Sequence, residues 1–325
     1  MAAVTGAGGL GVGRSDAADE QPSADERAER LARAQSHAIQ QILASSKSPN
    51  AFLRANAIEA MQGLPHRVAS LVQLGLDDPH PVVRFAAAAT IGKLKLAALI
   101  PSAQRLLEDP SESVRAAVLY AMRRCDVSAD LSPLAQMLTS TDPTVRGNAA
   151  MLLGEMGEPS AVPMLKELAR VPLPRASAAQ EAIVRIQVAE AVVKLGDESA
   201  LNAVRSGVYS QFDEVRVLAV SILGELQDRR MEKAYAQLLT EPPVELQLAA
   251  AGALAQVGRE EGLAVVLEAC GSSMPTVRAQ AAWTLQYFTD SRAEEALIRM
   301  LDDVDEQVRL SAAASVLRRG GAPQG

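Results

Sequence analysis

Alanine, leucine and valine recur along this chain in blocks of helical period, separated by short polar turns, and the blocks themselves repeat. Thr141 to Gly157, TDPTVRGNAAMLLGEMG, shows the unit: Asp142-Pro143 starts a helix, which small and aliphatic residues then continue. The pattern returns as VVRFAAAATIGKL around Arg84, SVRAAVLYAMRRC around Arg115 and EVRVLAVSILGEL around Arg216. It continues as TVRAQAAWTLQYF around Arg278 and QVRLSAAASVLRR around Arg309. Counted on the arginine, Arg54, Arg84, Arg115, Arg146, Arg185, Arg216, Gln247, Arg278 and Arg309 mark nine slots, eight of them basic. The spacing is 31 residues throughout, apart from a first interval of 30 and a 39-residue interval ending at Arg185. A fixed period of this kind predicts stacked copies of one supersecondary unit.

Each period predicts two helices. The first is short and leucine-rich, as in Leu131–Leu138 and Met231–Leu239; the second carries the Val-Arg pair and an alanine-rich face. Gly157, Gly196 and Gly258 stop second helices, and Gly92, Gly154 and Gly224 inside them allow close approach. The eight extra residues of the long interval fall at Val171 to Ala178, VPLPRASA, whose two prolines predict a loop. Ser23-Ala24-Asp25-Glu26 is a capping box for an N-terminal helix with a polar outer face, as a repeat array requires of its cap. The expected organisation is a disordered tail at 1–22, a helical array at 23–319 and a short disordered tail at 320–325. The last predicted helix, Glu306–Arg319, has nothing after it to cover Leu310, so its open end offers self-association to a second copy.

Composition fits thin, closely packed helices: 48% of residues are hydrophobic but only 3% are aromatic. A net charge of −7 and a pI near 5.2 argue against general nucleic-acid binding, which draws its affinity from phosphate neutralisation. No apolar run reaches the roughly 18–20 residues that cross a bilayer, and Met1 to Gln21 lacks the regions of a signal peptide. The expected compartment is the cytoplasm. Cys125 and Cys270 fall on different repeats, which argues against a disulfide.

Period, Asp/Pro turn, Val-Arg pair, Ala-Ala and Leu-Gly together resemble HEAT repeats, specifically the short bacterial kind seen in phycobilisome-lyase-like proteins. The likeness covers about residues 24 to 319. It implies an all-α fold: a right-handed α-solenoid of about nine two-helix repeats, armadillo-like, whose second helices line the concave face. It also implies a structural ladder between turn acids and arginines, here Arg84, Arg115, Arg146, Arg216, Arg278 and Arg309. The matching acids are Asp78, Asp109, Asp142, Asp213, Asp303 and Asp305, at no single offset, and Gln247 weakens one rung.

Function is sought in the positions that vary. Five residues past the arginine slot the chain reads Glu59, Ala89, Tyr120, Met151, Glu190, Ser221, Gly252, Trp283 and Ala314. Nine past, it reads Gly63, Lys93, Arg124, Glu155, Lys194, Glu225, Gln256, Tyr287 and Arg318. Both columns are expected to face the groove. Aromatics and arginine are the usual interface anchors, which makes Tyr120/Arg124/Met151 and Trp283/Tyr287 candidate contact patches, with Glu155, Glu190 and Lys194 beside them. No catalytic residue is predicted. None of His37, His66 and His80 precedes a Glu, as the ligand pairs of HEAT-type metal hydroxylases would require, and no HExxH, CxxC, GxSxG or P-loop pattern occurs. The reading implies no cofactor and no metal. The expectation is a non-catalytic scaffold gripping a protein or extended peptide along the groove. The alternative is bilin-lyase-like or chaperone activity, implied by the family likeness alone.

Overall fold

The computed structural model describes residues 24–320, and every regular element among them is helical. Nine outer helices alternate with nine inner ones. The outer set is α1 (Ala24–Ser45), α3 (Pro65–Gly75), α5 (Ile100–Gln104), α7 (Ser132–Met137), α9 (Val162–Leu168), α11 (Leu201–Gly207), α13 (Glu232–Leu238), α15 (Leu263–Ala269) and α17 (Ser291–Met300). The inner set is α2 (Ala51–Ala60), α4 (Pro81–Leu94), α6 (Glu112–Arg124), α8 (Pro143–Met156), α10 (Ala178–Lys194), α12 (Asp213–Glu225), α14 (Val244–Gln256), α16 (Pro275–Thr284) and α18 (Glu306–Gly320). The Ser23 cap and both expected tails, except Gly320, lie outside the described residues.

Each inner helix packs on the next. Alanine faces and glycines set that spacing: a Cβ added to Gly154 would stand 2.8 Å from the Ala191 Cα, and one on Gly224 would stand 2.9 Å from the Ala253 Cα. The expected stops hold, with Gly157, Gly196 and Gly258 at φ 78, 92 and 85°. Lys95, Asp126 and Gln227 occupy the same left-handed position without being glycine. The inserted segment is a loop up to Ser177, and only its last residue, Ala178, is helical. Ser177 and Gln180 form a capping box that starts α10 at Ala178, so the long interval lengthens this helix as well as its loop.

The ladder obeys one offset that the sequence reading did not isolate. Arg54, Arg84, Arg115, Arg278 and Arg309 each donate from Nη1 to the carbonyl six residues back, at 2.6–2.9 Å. Before Arg84, Arg115 and Arg309 the side chain of that residue accepts the previous repeat's arginine. Arg54 grips Asp78 at 2.7 and 2.8 Å, Arg84 grips Asp109 at 2.7 and 2.9 Å, and Arg278 grips Asp303 twice at 2.8 Å. Asp142 and Asp305 are helix caps, accepting from Thr144 and from Gln307 and Val308, and Asp213 only faces Arg216 on its own helix at 3.5 Å. These three are not rungs. Arg115 finds Ser140 where a carboxylate would stand and bonds its own turn; Arg146 donates to the Val171 carbonyl; Arg216 reaches Glu241. Arg54 and Glu241 are rung members absent from the expected set.

The array does not end open. The helices α1 and α2 both pack on α18, where Val308 and Leu310 are buried. Arg309 donates to Gln41 at 3.2 Å, Ser48 donates to Glu306 at 3.1 Å, and His37 lies 3.5 Å from Asp302. Each repeat turns the chain through roughly a ninth of a circle, so the ninth meets the first. The solenoid is a closed ring. Its expected docking end is covered by its own N-terminal helix, which removes the ground for self-association there.

Candidate functional site: the lumen of the ring

Arginines in the first turns of inner helices reach the turns before their neighbours, and Lys194 at the end of α10 reaches Glu155 near the end of α8. Neighbouring inner helices therefore run parallel, with their C-terminal ends, the negative poles of their dipoles, gathered at one mouth of the ring. The two variable columns meet inside it. Glu59, Ala89, Lys93, Tyr120, Met151, Glu155, Glu190, Lys194, Glu225 and Arg318 line a cavity of about 410 Å³, together with Phe85, Gln62, Leu152, Gln187 and Leu218. These residues come from seven of the nine inner helices or the turns that end them.

Charge in the lumen is mixed. Lys194 sits between Glu155 and Glu190, 2.7 Å from each. Burial disfavours its ammonium, but the two carboxylates more than offset this and hold its pKa above the ordinary lysine value. Glu59 and Glu225 are pushed up, chiefly by burial; Lys93 and Arg318 oppose the rise at Glu59, as Lys194 and Lys93 do at Glu225. Both carboxylates reach water, yet the opposite walls crowd them, so confinement rather than dryness weakens their hydration. Glu225 on α12 and Lys93 on α4 line the same cavity although they stand on non-adjacent helices. Arg318 lies over the Trp283 ring, 4.2 Å from its centroid.

HEAT-repeat models match residues 37–123, 101–183 and 231–318. The chain is a member of the HEAT-repeat family. No curated protein matches it in sequence. Among solved structures, human deoxyhypusine hydroxylase in complex with glycerol is 17% identical with a TM-score of 0.39, over 90% of this chain and 98% of that one. The complex of CpcE and CpcF of phycocyanin lyase from Nostoc sp. is 17% identical with a TM-score of 0.42, over 76% and 94%. Kap121p bound to Pho4p is 15% identical with a TM-score of 0.37, over 90% of this chain and 37% of that one.

Within this HEAT ring the expected patches fare differently. Tyr120 lines the lumen but is only 2% exposed, wedged against Gly92, where an added Cβ would collide with its ring. It is a packing residue with almost no surface to offer a partner. Burial raises its hydroxyl pKa. Arg124 is half-buried and donates to the Gly92 carbonyl at 3.4 Å; Met151 is half-buried on the lumen wall. Glu155, Glu190 and Lys194 form the ion-paired cluster. Trp283, 36% exposed, faces a smaller cleft shared with Asn56, Glu59 and Arg318. Tyr287 lies on the short turn after α16, not on the helix itself, and packs beside Gly252. Glu59, Lys93, Glu225 and Arg318 also face the lumen, and all four stand in the variable columns, where charge rather than an aromatic ring marks them. Among the described residues no group of His, Cys, Asp and Glu is placed to hold a metal, and no helix is long and apolar enough to cross a membrane.

Proposed function

We propose that the chain is a non-catalytic protein-interaction scaffold whose partner contacts the mouth of the lumen. The observation that supports this is the contrast between two kinds of inner-helix position. The arginine slot and the alanine faces repeat, and the structure uses them to join repeats. The columns five and nine residues further on vary in chemistry along the array, and ten of their eighteen members line one cavity. Ring closure narrows what the concave face can accept. The contacting element we assign is an extended segment or a chain end, which a closed lumen admits more readily than a folded domain. Trp283 and Arg318, stacked beside the smaller cleft, serve as its anchor.

Affinity capture with the wild-type ring, Trp283→Ala and Val304→Ala tests this. Val304 is 93% exposed in the turn before α18 and is the control. A partner retained by the wild type and Val304→Ala but lost by Trp283→Ala supports the reading. Equal retention by all three overturns it.

A further inference from the structure

The lumen holds two kinds of charge. Lys194 is neutralised by Glu155 and Glu190, and that cluster is complete. Glu59, Glu225, Lys93 and Arg318 are not: among the described residues none has an ion-pair partner within 4.0 Å. Two acids and two bases thus face one confined space with no counter-charge in contact. Phe85, Met151 and Leu218 add apolar wall to the same space. A simple cation would satisfy the acids and be repelled by Lys93 and Arg318; a simple anion would meet the reverse. A molecule carrying one charge of each sign satisfies both sets.

We propose that the lumen is a binding site for a small zwitterion, an amino carboxylate with an apolar spacer. Its carboxylate sits against Lys93 and Arg318, which flank Glu59, its ammonium against Glu225, beside Glu190 and Glu155, and its methylenes lie on the apolar wall. A volume of about 410 Å³ lies within the range of small-molecule pockets, about 300–1,000 Å³. Burial supports the assignment, because it disfavours the ionised forms of Glu59, Glu225 and Arg318 in the unliganded lumen and a paired ligand would relieve that cost. This site shares Arg318 with the proposed partner contact, but its test uses no protein partner.

Calorimetry with γ-aminobutyrate, δ-aminovalerate and ε-aminocaproate tests it, with putrescine and succinate as single-sign controls. The expected result is saturable binding of at least one amino carboxylate at about 1 mM or tighter, and none of either control. Lys93→Met and Glu225→Gln, both exposed and outside the core, each weaken that binding about tenfold, with an unchanged helical spectrum confirming the fold. No saturation by about 10 mM, equal binding of a control, or full binding by both variants overturns the proposal.

Discussion

The arc of the ring around the seam and the arc opposite it are built differently, and not in the direction chain connectivity would suggest. At the seam no peptide bond joins α18 to α1, yet the apolar core runs through unbroken, one cluster holding Ala38 and Ile42 of α1 and Val308 and Leu317 of α18. On the far side, α11, α12 and α13 with parts of α10 and α14 form a second, separate core. Turn chemistry follows the same division. Bidentate rungs stand on both flanks of the seam, at Arg54–Asp78, Arg84–Asp109 and Arg278–Asp303. On the far arc Arg185 pairs only within its own helix, Arg216 makes one contact to Glu241, and Gln247 replaces the arginine. The far arc's bidentate pair, Arg205–Asp228, starts instead from an outer helix. The firm rungs flank the seam, while the seam joint itself rests on the continuous apolar core and on the Arg309–Gln41 and Ser48–Glu306 hydrogen bonds.

The sharpest way to break this contrast is to remove one arginine from each arc. Arg84→Met strands Asp109, whose side chain is 3% exposed, and should cost about 3–5 kcal/mol. Arg216→Met, facing a half-exposed Glu241, should cost about 1 kcal/mol or less. Urea midpoints of the two variants decide it, and equal losses would erase the distinction.

Acid should act on the same rungs. The guanidinium of Arg54 holds Asp78 below the usual carboxylate range, and that of Arg278 does so for Asp303. Burial pushes Asp109 up, but Arg84 and the Ser111 amide outweigh it. A depressed folded-state pKa gives stability that is fully present above the unfolded value, about 3.9, and is lost as pH falls through the folded value. Denaturant midpoints should stay level above about pH 5 and drop below about pH 4, with a shallower drop in Arg84→Met.

A rung can also be added. Ser140 occupies the acceptor position opposite Arg115, and its hydroxyl already accepts from the Asp142 amide, as Asp78 accepts from His80. Ser140→Asp should therefore stabilise by about 1 kcal/mol, read as a raised melting temperature. The smallest effect is expected from Lys95→Gly, at φ 51°, which should stabilise by up to about 1 kcal/mol. It relieves a helix stop and leaves every rung alone, so it calibrates the others.

The repeat, the two-helix unit and the inner face were legible because each is local and is written nine times. The rungs were half legible. Asp142 and Asp305 cap helices from four residues before the arginine slot, whereas Asp78, Asp109 and Asp303 lie six before it; pooling the two offsets hid a regular ladder. Closure was not legible, because curvature accumulates from small rotations that no single residue encodes. Leu310 at an uncapped end and Ala38 in a cap read as separate facts until the ring brings their helices together. Tyr120 misled for a related reason: its column faces inward, but the neighbouring Gly92 lets the ring sink between helices.

A circle has no terminal unit to fray. In a linear array unfolding can creep inward from either end, whereas here every unit has a neighbour on both sides and opening must begin by breaking two contacts at once. It also follows that where the polypeptide is cut matters little. A permuted chain that joins residue 320 to residue 24 through a linker and opens in the 169–177 loop should fold to the same molecule.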